Sequence, residues 1–280
     1  MKFANYGVLN VVAHPHPKGT YRRLFELAAS MIEGVNFRAD QYAKTSRISD
    51  SEDGVFSGRI AVWTAIDREA KTIQTDTLVE NPLSDTNFKF PDNLGFNSKI
   101  FSFAFREKDH LMYVELVNEE GKSISAGVVR KIMSSIFEAI KPDDIDNVTV
   151  HIVSRKNAVD QILAMDELLK IEILLELPNP DDLEEEKMRV IRELQEMGAK
   201  RKKTELVKAP GKQTLVLIGD YQVEAELAKD NGYVKATGRI EGVKTEQSTK
   251  DYPEEIQIEL LPNESSAVAV RRIARAGREA

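Results

Sequence analysis

The chain has 280 residues, 41% of them hydrophobic, which is enough to build a substantial core, and it has no cysteine, which excludes disulfides, cysteine-ligated zinc and thiol catalysis. Its 46 acidic and 39 basic residues give a formal charge of -7, so uniform coating of a polyanion is excluded and any nucleic-acid contact is a local patch. No stretch approaches the roughly 20 apolar residues of a membrane span, and the N-terminus lacks a signal peptide's apolar region, so the expectation is a cytoplasmic protein without membrane insertion.

In chain order, the short Val-rich run from Gly7 to Ala13 predicts a buried strand, ended by His14-Pro-His-Pro17. A helix follows from Thr20 to about Glu33, with Leu24, Leu27, Ala28 and Met31 on one face. Residues 35–48 and 55–66 favour β-branched and aromatic types and predict two antiparallel strands joined by an Asp53-Gly54 turn. A long loop is expected over 80–98. Residues 100–105 and 110–117 form the clearest hairpin, and Ser123 or Ser125 caps a helix to Ile140 with Val128, Val129, Ile132 and Ile136 on its apolar face.

Beyond Asp146 the pattern changes from hairpins to alternating elements. Strands are expected over 148–153, 170–177, 233–240, 243–248 and 256–260, with helices over 157–165, 183–197 and 221–229. The resulting fold class is α+β: an antiparallel N-terminal domain with packed helices (1–146), a smaller mixed α/β domain (147–262) and a basic, loosely held tail (263–280).

Candidate chemistry is sparse. No G-x-x-x-x-G-K-[ST] loop, G-x-G-x-x-G turn or G-x-S-x-G elbow is present. His14 and His16 flank Pro15 after a strand and make two metal ligands only if a third converges; a structural loop is the preferred reading, and no cofactor or metal is assigned. Glu115, Asp109 and His110 form the nearest approach to a nuclease-type site, an alternative reading of a metal-dependent effector. The acidic run from Asp181 to Glu186 opens a helix and Lys200, Arg201, Lys202 and Lys203 follow its end, as the helix macrodipole favours; the lysine cluster also suits phosphate contact. Asn231-Gly232 reads as a helix C-cap with glycine in the left-handed conformation, and Thr237-Gly238-Arg239 as a bulge.

The strongest nucleic-acid signal is the tail. Arg271, Arg272, Arg275 and Arg278 lie along one side of a helix against a single acid, Glu279, leaving +3 from Arg271 onward. Such a stripe can track phosphates with steep salt dependence.

Several segments in order resemble a bacterial family of unknown function, about this long, found in mobile elements and prophages. They are Asn10 to Pro15, the Phe105–Glu115 hairpin with His110, Ser123 to Ser125, Pro178-Asn-Pro-Asp-Asp182, Asn231-Gly232, Ser248-Thr249 and Tyr252-Pro253. By size and architecture this family looks like the lambdoid Rex phage-exclusion protein. The resemblance implies a two-domain, homodimeric phage-defence protein that binds DNA without strong sequence preference and without enzymatic activity, with a second defence protein as a possible partner. A protein-interaction subunit of a defence complex is a third reading.

Overall fold

A computed structural model describes residues 2–50, 54–67, 69–83, 91, 93–179 and 185–277. In chain order its elements are β1 (Phe3–His14), α1 (Thr20–Ser30), β2 (Val35–Arg38), β3 (Gln41–Thr45), β4 (Ser49–Asp50), β5 (Val55–Thr64), β6 (Lys71–Ile73), β7 (Glu80–Pro82), β8 (Phe96–Arg106) and β9 (Leu111–Glu115). There follow α2 (Ala126–Ile140), β10 (Asn147–Ile152), α3 (Ala158–Leu163), β11 (Glu167–Glu176), α4 (Glu185–Glu196), β12 (Arg201–Val207) and α5 (Asp220–Ala228). The chain closes with β13 (Gly232–Ile240), β14 (Val243–Ser248), β15 (Glu255–Glu259) and α6 (Ser266–Ala276). The class is α+β, built on two main antiparallel sheets.

The larger sheet runs β10-β1-β9-β8-β5-β3-β2, with β4 on β5 and β15 on β1. β1 is longer than its apolar run suggests because it serves three neighbours. β9 lies along one edge; the other is shared by β15, opposite Phe3 to Gly7, and β10, opposite Leu9 to His14. Both faces of β1 are buried, as its near-continuous apolar sequence requires. Leu9, Val11 and Ala13 enter a core with α1 and α2, while Ala4, Tyr6 and Val8 enter a second core under α6. Phe25 of α1 anchors the first core, its ring within 5.0–5.4 Å of Phe56, Phe103, Phe105 and Phe137. Ser125 caps α2 through the Val128 amide at 3.3 Å.

Residues expected as one strand over 35–48 instead form the β2–β3 hairpin, turned at Ala39 with φ 45°. β6 and β7 pair within and just before the stretch expected as loop, part of which lies outside the described residues.

The smaller sheet runs β12-β11-β13-β14, with Ile171, Ile173, Leu175, Val234 and Ala236 buried against α3, α4 and α5. β12, unanticipated in the sequence, is a charged edge strand in register with β11 from Arg201↔Glu176 to Val207↔Lys170. Its burial alternates exposed and intermediate, the signature of an edge with one face over a core.

The last helix is held firmly rather than loosely. Ala269, Val270, Ile273 and Ala274 are all essentially inaccessible beneath it. β15 and α6 therefore return the C-terminus to the first sheet.

Candidate functional site

Among the arginines of α6, Arg272 is committed to a surface ion pair. Arg272 makes a bidentate pair with Glu264, at 3.0 and 2.8 Å, and also reaches the Glu259 carbonyl. That guanidinium holds the Glu264 carboxyl below the usual range. Arg271 is half-buried and Arg275 exposed, its carbonyl receiving Arg106 at 3.4 Å. Arg278 lies outside the described residues.

The second basic cluster is split by the pleat of β12. Lys202 turns to the helix-covered side, where it pairs with the buried Glu224, a carboxylate that also accepts Thr204 Oγ1 at 3.1 Å. Arg201 and Lys203 lie on the opposite side with Lys200 exposed beside them; Lys203 meets Glu172 at 3.1 Å.

That opposite side is the face of the smaller sheet against which none of α3, α4 and α5 packs. Register aligns Arg201 and Lys203 with Lys170, Glu172 and Glu176 of β11, then with Tyr233, Lys235 and Arg239 of β13 and Lys244 of β14. Ion pairs knit it: Lys170–Glu205 at 2.7 Å and Lys235–Glu246 at 2.8 Å. Tyr233 donates to Glu172 at 2.5 Å, and Lys250 sits 4.2 Å from the Tyr233 ring centroid. At this end Arg130, Ser134 and Glu138 of α2 line a cavity of about 320 Å³ with Leu174, Glu176 and Tyr233, so the ring and its cations sit at the edge of a cleft that offers stacking and phosphate contacts together.

The histidines behave differently from expectation. His14, His16 and His110 do converge, with ring centroids 5.9 Å apart for His14 and His16 and 5.5 Å for His16 and His110. Each outer ring is tied to the segment after β11. His14 Nε2 donates to the Leu177 carbonyl at 3.0 Å, and Asn179 Nδ2 donates to His110 Nδ1 and Tyr21 Oη, both at 2.8 Å. Tyr21 Oη in turn accepts the Ala13 amide at 3.2 Å. Among the described residues no group of three or more His, Asp or Glu is placed to hold a metal ion. The cluster is a polar seam joining the larger sheet to the smaller unit, continued by Asn10 donating to Asn231 at 2.9 Å. Tyr21, Asn179 and Asn10 were not singled out as partners by sequence, since only the fold brings segments so distant in the chain together.

Glu115, Asp109 and His110 are not assembled into a site. Glu115 is 2% exposed on the α6 side of the larger sheet, accepting the Ser102 amide at 2.9 Å, and desolvation there raises its pKa. Asp109 is held by Arg106, with Nε to Oδ1 at 2.8 Å. His110 faces Tyr21 and Asn179.

Asn231 and Gly232 also have structural duties other than the expected left-handed cap. Asn231 Nδ2 donates to Leu227 O at 3.2 Å, while Gly232 already starts β13 with φ 156°, where an added Cβ would lie 1.9 Å from the Leu174 carbonyl. Gly238 makes a similar close approach to Glu167 O, as expected, but the bulge lies on the partner strand: the extra residue of the register shift is Leu169 of β11, not one of Thr237–Arg239. Ser248 and Asp251 form a reciprocal capping box that launches the turn before β15.

No helix among the described residues is long and apolar enough to cross a membrane. Comparison with curated proteins finds no match. The profile of the domain of unknown function DUF4747 matches residues 2–275, nearly the whole chain, and the protein belongs to that family.

Proposed function

We propose that this protein binds nucleic acid without sequence preference and without enzymatic activity, through the open face of its smaller sheet, and that it serves in cytoplasmic phage defence. The observation that carries the reading is the row of cations on the sheet face away from α3, α4 and α5, with Arg201, Lys203 and Lys235 near Tyr233 at one end and Arg239 and Lys244 at the other. Cations on such a face engage phosphates, and a tyrosine ring supports a base by stacking. The partial neutralisation by Glu167, which pairs with Arg239 at 2.8 Å, and by Glu172, Glu205 and Glu246 suits weak, sequence-tolerant contact. Resemblance to the Rex phage-exclusion proteins supports the defence context, a homodimeric form and a second defence protein as partner.

Fluorescence anisotropy with single- and double-stranded 20-mers across a salt series tests this. Arg201→Gln with Lys203→Gln should weaken binding about tenfold and reduce the salt slope by about 2, one unit for each phosphate left without its cation. Arg271→Gln with Arg275→Gln should leave binding unchanged. Absence of binding at low salt, or equal binding by the first pair, sinks the proposal.

A further inference from the structure

The cleft at the Tyr233 end of the smaller sheet has a floor as well as two walls. α2 forms one wall with Arg130, Ser134 and Glu138, and the open face of the smaller sheet forms the other with Leu174, Glu176 and Tyr233, joined by Lys250. Between them runs β10, the outermost strand of the larger sheet on that side. Val153 N donates to Val8 O at 3.0 Å, and antiparallel alternation from that pair turns the main-chain groups of His151, Thr149 and Asn147 towards β1. The amides and carbonyls of Val148, Val150 and Ile152 point the other way, along the free edge, where no hydrogen bond among the described residues meets them. The floor of the cleft is thus a row of main-chain donors and acceptors.

The charges in the cleft are of both signs. Arg130 and Lys250 form no ion pair among the described residues, whereas Glu176 stands 3.6 Å from His151 Nε2. The Lys250 pKa is lowered, by desolvation first and by the Arg130 charge second, against a smaller pull from Glu176, so the two cations are near enough to repel each other. Like charges gathered without an ion pair suit an anion. The two carboxylates of the same lining, Glu138 and Glu176, do not suit a bare phosphate. A nucleotide meets both conditions, because its phosphate is anionic and the polar N–H groups of its base can reach a carboxylate.

Tyr233 links the cleft to the row of cations. With Lys250 it lines both this cleft and a neighbouring cavity of about 350 Å³ that holds Glu172, Lys235 and Glu246. An aromatic ring stacks only on a base that has left its pair, since a duplex shows base edges in its grooves and keeps the base faces stacked inside. The N–H and C=O groups of a free strand edge in turn match the donors and acceptors along the pairing edge of an unpaired base. A cleft of about 320 Å³ walled by α2 admits a strand and not a duplex.

We infer that the nucleic acid held by the smaller sheet is single-stranded, and that the cleft takes one of its nucleotides, the base against Tyr233 and the β10 edge and a phosphate on Arg130 and Lys250. This rests on the reading of the open face as a nucleic-acid surface, and it adds α2 and β10 to that surface.

A labelled thymidylate 20-mer and its duplex with the complementary adenylate strand are compared by fluorescence anisotropy on the full chain at one low salt concentration. Attraction by charge alone favours the duplex, whose charge density is higher, so a single-strand preference is a discriminating result. The single strand should bind about tenfold more tightly. Arg130→Gln with Lys250→Gln should weaken the single strand about tenfold and leave the duplex unchanged, and the retained duplex binding, with circular dichroism, checks the fold. Tyr233→Leu should weaken the single strand about tenfold, while Tyr233→Phe, which keeps the ring and loses the bond to Glu172, should keep wild-type affinity. Lys131→Gln, an exposed α2 residue outside the cleft lining, should also keep it. Equal or tighter duplex binding, or unchanged single-strand affinity in the Arg130/Lys250 pair or in Tyr233→Leu, overturns the inference and leaves the open face to be judged by the Arg201/Lys203 variant. Binding of neither form sinks the reading of the open face itself, and the inference with it.

Discussion

Lys202 Nζ of β12 and Glu224 of α5 form an ion pair across the inner face of the smaller sheet, with the carboxylate only 3% exposed. A residue from the most basic run of the sequence is thus committed to folding. Removing the carboxylate leaves Thr204 Oγ1 without its acceptor, while the Lys202 side chain, 39% exposed, keeps access to water, so Glu224→Ala should cost roughly 1–3 kcal/mol in urea denaturation. Lys202→Met, paired with Glu224→Leu, should recover part of that loss, since an apolar pair of similar volume fills the space of the half-buried ion pair. Neither change should alter DNA affinity, because both groups face the helices.

Gly232 offers a sharper structural test. Its Cα passes so close to β11 that a methyl group would sit 1.9 Å from the Leu174 carbonyl, and the φ of 156° resists any side chain. Gly232→Ala should therefore destabilise by about 3 kcal/mol or more, well beyond ordinary helix-end effects. Gly242→Ala, at the exposed β13–β14 turn with φ 78° and nothing near its Cβ, should cost only about 1 kcal/mol. Thermal denaturation of the two variants side by side distinguishes close approach from a simple turn requirement.

The sequence carried the elements well where period and punctuation agreed. Val129, Ile132 and Ile136 at three- and four-residue spacing gave α2, and the alternation of residues 100–105 gave the β8–β9 hairpin. It failed for β12, because a charged edge strand needs only one half-buried face and Arg201 to Val207 lacks the apolar alternation that signals one. The candidate site was harder still. The basic residues 200–203 read as a helix-end cluster, yet their strand pleat divides them, sending Lys202 inward and Arg201 and Lys203 outward. Likewise, the three histidines meet because β9 pairs with β1, which sets His110 beside Val11 near His14 and His16, and Leu177 and Asn179 come back from after β11 to bind them. Long-range closure of this kind has no local signature.

The docking of α6 predicts what happens when the C-terminus is removed. Val270 and Ile273 are fully buried against Tyr6, Val8 and Tyr113, and each such side chain contributes about 1.5–3 kcal/mol. Ending the chain at Leu261 should thus cost roughly 3–6 kcal/mol and expose one face of the larger sheet. Dye binding to exposed apolar surface and a lowered unfolding midpoint are the expected readouts. A truncated chain as stable as the full one would mean that α6 is not held as the packing requires. For the same reason, loss of DNA binding on truncation alone says nothing about arginine contacts, and point substitutions at Arg271 and Arg275 are the proper control.

His151 gives the fold an acid-sensitive element. Burial, followed by the charges of Lys250 and Arg130, lowers its pKa from 6.5 to about 4, outweighing Glu176, whose carboxylate lies 3.6 Å away. The folded state therefore resists protonating this ring while the unfolded chain accepts the proton near pH 6.5. Below that pH the unfolded state binds more protons, so stability falls as pH drops from about 6.5 to about 4 and this contribution levels off beneath. The full span is worth at most about 3 kcal/mol. His151→Gln, which can keep a hydrogen bond to Thr149 Oγ1, should flatten that limb of the stability profile while changing stability little at about pH 8. Urea midpoints for both proteins at half-unit pH steps make the comparison, and parallel curves between about pH 6.5 and 4 would rule out His151 as the source of the acid sensitivity.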